Sequence, residues 1–264
     1  MEANTPAIQL KEPVSVHVKG VSKSFRDQAV LNDIAFDVSP GEIFVIMGPS
    51  GSGKSVLLKN IIGLELPDSG IIEIGGLDAS CRETHTQILT SMVFQSGALF
   101  NSLTVFDNLA FYPREHELYS EGELKRRVNN VLDMLSLENA AQKRPSELSG
   151  GMRKRVAIAR TIMMEPQLIL YDEPTSELDP IMATTISEII ATLRKEFGVT
   201  SIVVTHDTHV AESIADRVAV LMDGSIRLIA SPKELKEVDD ERIRDFLHPT
   251  VNLENPRFKT GKNS

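Results

Sequence analysis

The sequence predicts an α/β fold: a mainly parallel sheet, half-exposed strands on its N-terminal side and a helical segment inserted within it. Three observations carry this. Short apolar runs at residues 44–47, 92–94, 168–171, 202–204 and 218–222 lack polar and apolar alternation, as strands covered on both faces do. Stretches of helical periodicity lie between several of them, and strands alternating with helices make an α/β core. The stretch from about 97 to 165 carries no such strand run. An inserted helical subdomain explains that better than one long structureless loop.

Taken in order, residues 14–38 alternate, with Val14, Val16 and Val18 and later Ile34, Phe36 and Val38 on one face. That is the pattern of half-exposed strands. The run 44–47 enters a glycine-rich loop, and residues 55–64 then place apolar side chains at Leu57, Leu58, Ile61 and Ile62, one face of a helix. In the insertion, Leu124, Val128, Val131, Leu132 and Leu135 share a helical face, and a second helix is expected over 153–164. A helix over about 182–197 should stop at Gly198. Two short charged helices are expected over 232–238 and 239–247, and the polar tail 248–264 should be poorly ordered on its own. The expected division is one domain over 14–247, with its core at 14–96 and 165–230 and its helical subdomain at about 97–164. Residues 231–264 form a C-terminal extension.

The composition bounds the function. Of 264 residues, 41% are hydrophobic and 25% charged, as in ordinary globular proteins. With 28 Lys and Arg against 37 Asp and Glu, the net charge is −9, which disfavours a general nucleic-acid binder. No stretch approaches the roughly 20 apolar residues of a membrane helix, and the start lacks the layout of a signal peptide, so cytosolic residence is expected. The single cysteine, Cys81, has no partner for an internal disulfide, which fits a reducing compartment. The histidines other than His206 show no metal-ligand spacing, and no zinc site is expected.

Three motifs carry chemistry. Gly48, Pro49, Ser50, Gly51, Ser52, Gly53, Lys54 and Ser55 satisfy G-x-x-x-x-G-K-[ST] directly after a strand and before a helix. Glycines let backbone N–H groups converge on phosphates, and a helix N-terminus favours the negative charge. Lys54 would reach the outer phosphates and the Ser55 hydroxyl would bind Mg2+. The strand at 168–171 ends in Asp172 and Glu173, at the end of an open sheet where ligands sit. Asp172 could hold the Mg2+ shell, and Glu173 could orient or deprotonate a water. Ser149, Gly150 and Gly151 open a helix and form a second candidate anion site, although such a triplet also fits a plain N-cap.

In this order and context the motifs resemble the nucleotide-binding subunit of ATP-binding-cassette (ABC) transporters, over roughly residues 14–230. The resemblance implies a P-loop NTPase of the ABC ATPase type: a RecA-like core with an N-terminal antiparallel β subdomain and an inserted helical subdomain. Residues 48–55 match Walker A, 148–152 the LSGGQ-type signature, and 168–173 Walker B with the catalytic glutamate. Ser176 and Asp179 match the D-loop, Gln95 the Q-loop, where it would approach the metal, and His206 the switch histidine at the γ-phosphate. Phe25 matches the aromatic residue against adenine, while an aromatic in an alternating strand also fits a core position. The family geometry implies a homodimer holding two ATP molecules, each between one chain's phosphate loop and Ser149, Gly150 and Gly151 of the other.

The residues around Gln95 and the signature look like the Mla-type, or Mce-associated, subfamily. That resemblance implies phospholipid or another hydrophobic cargo, a membrane permease, a Mce-domain lipid-binding protein, and a place on the cytoplasmic face of the inner membrane. A small regulatory subunit is a further candidate partner, and no nucleic acid is expected. Leu99 and Phe100, followed by Leu103, Val105 and Phe106, offer an apolar surface for a permease helix, or packing for the helical subdomain. Two positions depart from the family pattern: Glu177 replaces a small D-loop residue and Met152 the usual glutamine. An importer of a polar solute is the alternative within the class. A soluble ABC ATPase acting on nucleic acid or ribosomes is the alternative outside it.

Overall fold

The computed structural model describes residues 11–249. β1 (Val16–Phe25) turns through Arg26 and Asp27 into β2 (Gln28–Val38), pairing Val16 with Val38 and Val18 with Phe36. β3 (Ile43–Met47) leads through the glycine loop into α1 (Lys54–Ile61). β4 (Ser69–Ile74) returns antiparallel to β1 and forms a small hairpin with β5 (Leu77–Asp78) through Gly75 and Gly76. α2 (Arg82–Gln87) and β6 (Thr90–Val93) follow. The insertion holds α3 (Val105–Glu115), α4 (Glu121–Met134) and α5 (Gly150–Ile162). The chain then alternates through β7 (Leu168–Asp172), α6 (Pro180–Phe197), β8 (Thr200–Thr205), α7 (Thr208–Ile214) and β9 (Arg217–Met222). β10 (Ser225–Ala230), α8 (Pro232–Lys236) and α9 (Glu241–Leu247) complete the described chain.

Two sheets result. The first is antiparallel in the order β2-β1-β4-β5; the second runs β10-β9-β3-β8-β7-β6, parallel except at β10. β6 and β7 are hydrogen-bonded neighbours although the helical insertion separates them in sequence, so the insertion leaves and re-enters the sheet at adjacent strands.

The absence of alternation in the core strands has a direct cause. Ile43, Val45 and Met47 of β3 face a cluster shared with α3, α4, α5 and α6, while Phe44 and Ile46 face a second cluster shared with α1 and the antiparallel sheet. β7 divides in the same way, Ile169 and Tyr171 to one side and Leu168 and Leu170 to the other. Both faces are dry, so both faces select apolar residues, and each such side chain contributes about 1.5–3 kcal/mol by burial.

Local signals set the boundaries. Asp179 caps α6 by accepting from the N–H of Ile181 and of Met182, both at 3.0 Å, and Pro180 occupies the first turn, so this helix begins two residues before the expected start. Gly198, in the left-handed region at φ 69°, ends it as expected. α5 begins at Gly150 and not at 153, because Ser149 is its N-cap, accepting from Met152 N–H at 3.3 Å. α1 ends at Ile61, before the expected 64. The extension is docked: Leu235, Ile243 and Leu247 are buried in the first cluster. Most of the expected polar tail lies outside the described residues.

Candidate functional site

The carboxyl ends of β3, β6, β7 and β8 converge on one side of the parallel sheet. Gly48 leaves β3 where a Cβ would lie 2.0 Å from the Leu221 carbonyl oxygen, so no larger residue passes. Gly53 holds φ 103° against Val30 and Leu31, and as the cap of α1 it leaves the first-turn N–H groups without a side-chain acceptor. No acidic residue occupies that first turn, and the open N–H groups with the helix dipole make it an anion site. Within the loop, the buried Ser52 Oγ has no hydrogen-bond partner.

Lys54 is buried at the helix start. Its Nζ donates to the carbonyls of Gly48 at 2.8 Å and Pro49 at 3.0 Å, and lies 3.9 Å from Glu173 Oε1. Burial holds the ammonium below the usual lysine range, while Glu173 and Asp172 oppose that shift. Ser55 Oγ donates to Asp172 Oδ1 at 2.8 Å, joining the first helix to the end of β7. Burial pushes Asp172 above the usual carboxylate range, the Ser55 bond opposes this, and the neighbouring Glu173 adds to it.

Glu173 stands just past β7 in the left-handed region, φ 48°, an uncommon place for a non-glycine residue. Its N–H donates to Val204 O at 2.9 Å, and its Oε2 lies 2.9 Å from His206 Nδ1 without hydrogen-bond alignment. His206 itself is 60% exposed. Lys54, Ser55, Asp172, Glu173 and His206 therefore form one cluster, from three strand ends that are distant in sequence. Such a cluster suits polarising a phosphoryl group and orienting a water beside it.

The other expected residues fall around it. Gln95 is exposed past the end of β6, and its carbonyl accepts from Lys154. Ser176 Oγ donates to Glu173 O at 2.9 Å, and Asp179 is the α6 cap. Gly150 and Gly151 sit against Leu178 and Met182, and Ser149 is exposed. Phe25 ends β1 with 43% of its surface exposed and Lys23 Nζ 5.4 Å above its ring, so it is no core aromatic.

Leu99 is half-buried against the first apolar cluster, and Phe100 is 44% exposed, its ring 4.9 Å from that of Phe111. Val105, the first residue of α3, is fully buried, which decides between its two expected roles in favour of packing: the Thr104 cap starts the helix there and turns Val105 inward. Three residues escaped the sequence reading. Asn108, fully buried, accepts from Phe100 N–H and donates to the carbonyls of Phe100 and Thr104, fixing the loop that carries Phe100. Arg160 binds the carbonyls of Gly97 and Ala98. Lys154 points inward beneath the cluster. Each reads in sequence as an ordinary polar position in a helix, and only its helical phase relative to apolar neighbours marks it.

A glycine loop feeding a helix N-terminus, an invading lysine and a strand-ending Asp-Glu pair define a P-loop nucleoside triphosphatase. The chain belongs to the ABC transporter family, whose profile matches residues 31–176. It is 38% identical over 239 residues to the "Probable ribonucleotide transport ATP-binding protein mkl" of Mycobacterium leprae, covering 89% of this chain and 69% of that one. It is 40% identical over 227 residues to the sulfate/thiosulfate import ATP-binding protein CysA of Pseudomonas aeruginosa, covering 85% and 69%. Among solved structures it resembles the dimeric ATP-binding cassette MJ0796 bound to ADP and Pi, with TM-score 0.75, 33% identity and coverage of 82% and 98%. It also resembles cbiO1 from Clostridium perfringens, part of the cbiONQ transporter complex, with TM-score 0.77, 30% identity and coverage of 89% and 95%.

The fold is thus that of an ABC ATPase, and the chain is an ATP-hydrolysing subunit of a transporter with Mg2+ as its cofactor. The residues fit such an ion: Ser55 Oγ and Asp172 Oδ1 are hard oxygen donors, already side by side. Among the described residues no helix is long and apolar enough to cross a membrane.

Proposed function

We propose that this chain is the motor of an envelope lipid transporter, working as a homodimer around two MgATP on the cytoplasmic face of the inner membrane. Residues 48–55 cradle the phosphates, Phe25 stacks on adenine, and Ser55, Asp172 and Gln95 hold Mg2+, which draws charge from the phosphate oxygens when bound. Glu173 orients or deprotonates the attacking water, and His206 reaches the γ-phosphate. Ser149, Gly150 and Gly151 complete the nucleotide site of the second copy, with Ser176 and Asp179 shaping the loop between. The exposed Ser149 at the start of α5 and the dimeric MJ0796 cassette support the head-to-tail arrangement.

The observation that carries the coupling half of the reading is Phe100, exposed next to Gln95 on a loop pinned by Asn108. An aromatic side chain on a rigid support is suited to receive a short helix from a permease. The helical stretch at about 97–164 then moves as a unit against the core at 14–96 and 165–230, and residues 231–264 form the C-terminal extension, docked on that core through Leu235, Ile243 and Leu247. Lipid as cargo, with a Mce-domain protein and a small regulatory subunit as further partners, rests on the residues around Gln95 and on the sequence Leu148 to Met152. Purification of the native membrane complex, with its proteins and bound lipids identified by mass spectrometry, tests this. A permease with a Mce-domain protein and phospholipid is the expected result; a polar-solute permease without lipid would overturn the cargo. The 40% identity to a sulfate importer supports that second reading.

A further inference from the structure

Lys154 lies on α5, between Arg153 and Arg155, where a run of three cations reads as a solvated face. It is instead 7% exposed. Its Nζ donates to Gln95 O at 2.5 Å, Glu173 O at 3.2 Å and Ser176 Oγ at 3.3 Å. An ammonium has three N–H donors, and here they meet oxygens from two loops. The first loop follows β6, and the second, which supplies both Glu173 and Ser176, joins β7 to α6.

We propose that Lys154 is a positioning residue for hydrolysis, tying the backbone beside Gln95 and Glu173 to the helix that begins at Ser149. The inference rests on the dimeric ATPase reading and deepens it. Glu173 is held in a left-handed conformation that its side chain disfavours, and its carbonyl receives both Lys154 and Ser176 Oγ. Fixing that carbonyl fixes the direction in which the carboxylate leaves the backbone. Burying a cation is costly, and a methionine would fill the same space without that cost. The return is geometric: α5 begins at residues assigned to one ATP, and Lys154 connects it to the Glu173 that serves the other.

Glu177 has a place in this arrangement. Burial lowers the Lys154 pKa, and Glu177 is the carboxylate that opposes this most, ahead of Glu173 and Asp172. The negative charge at this position, which departs from the family pattern, thus favours the ammonium form of Lys154.

The test uses the full chain with Lys154→Met, which removes every donor, and Lys154→Gln, which keeps neutral donors on a shorter arm. Steady-state ATP hydrolysis, binding of a fluorescent ATP analogue and thermal unfolding are measured together. The expected result for Lys154→Met is a kcat lower by about 10-fold or more, with KM and analogue affinity within about threefold of wild type, and with unfolding at no lower temperature. Lys154→Gln should retain more kcat than Lys154→Met. A kcat within about twofold of wild type in both variants overturns the inference, as does a kcat loss matched by equal losses of affinity and stability. If Lys154→Met fails to fold, Lys154→Gln decides alone: lowered kcat at unchanged KM supports the role, and unchanged kcat overturns it. Glu173→Gln run in parallel separates the two claims. Its full turnover would remove the hydrolysis reading itself, whereas a stalled Glu173→Gln beside an unaffected Lys154→Met removes only the positioning role.

Discussion

The two ends of the six-stranded sheet are built on opposite rules. At the amino ends, charged groups are paired in one network, although the hydroxyls of Thr90 and Ser201 are buried there without a hydrogen-bond partner. Ile43 N–H donates to Asp216 at 2.9 Å, and Asp216 also accepts from Arg194 at 3.1 Å, while Arg194 reaches Gly41 O at 3.0 Å. Thr200 accepts from Gly41 N–H and donates to Val14 O, and Arg217 pairs with Glu42 at 2.7 Å. At the carboxyl ends the matching is incomplete. Ser52 Oγ and Glu173 Oε2 are buried without a hydrogen-bond partner, Lys54 spends its donors on its own loop's carbonyls, and Glu173 has positive φ. One end is arranged for stability, and the other holds polar capacity in reserve for phosphates, an ion and water.

That contrast can be broken experimentally, and the largest effect should come from the ion. Chelating Mg2+ should lower ATP turnover by about 100-fold or more in a steady-state assay, with the unfolding temperature of the nucleotide-free chain unmoved. Lys54→Ala comes next. It should weaken ATP binding by at least about 10-fold in a fluorescence titration without lowering stability, since it removes a buried charge whose pKa burial has already lowered. Asp216→Ala should do the reverse: a loss of about 1–3 kcal/mol in denaturant unfolding, because Ile43 N–H and Arg194 lose their acceptor, with kcat within about twofold of wild type. A stable Asp216→Ala with impaired hydrolysis would erase the distinction between the two ends. The smallest effect on the isolated chain belongs to Phe100→Asp, which should leave ATP affinity intact while abolishing co-purification of the permease.

Legibility followed the same division. The core strands were readable because residues such as Val45 and Ile46 are apolar on opposite faces, and the observed strands differ from the expected runs by one or two residues. The phosphate loop was readable because Gly48 and Gly53 meet backbone too closely for any side chain. β4, β5 and α2 were not, since Ser69, Gly70 and two consecutive glycines dilute any periodicity and α2 is mostly polar. α3 was hidden by Pro113 inside it. The role of Val105 stayed open because a local apolar run does not say which face a helix start turns inward. Lys154 was missed for the opposite reason: its neighbours announce solvent, and only its spacing of three from Gly151 and four from Ile158 puts it on the buried face of α5.

The central claim is that polar groups at the carboxyl ends of the sheet hydrolyse ATP, with Glu173 acting on the water. It is tested most directly by single-turnover hydrolysis in Glu173→Gln at saturating MgATP. Retained ATP binding, a chemical step slower by about 100-fold or more and an accumulated ATP-bound dimer are predicted. Hydrolysis at the wild-type rate in that variant would contradict the account.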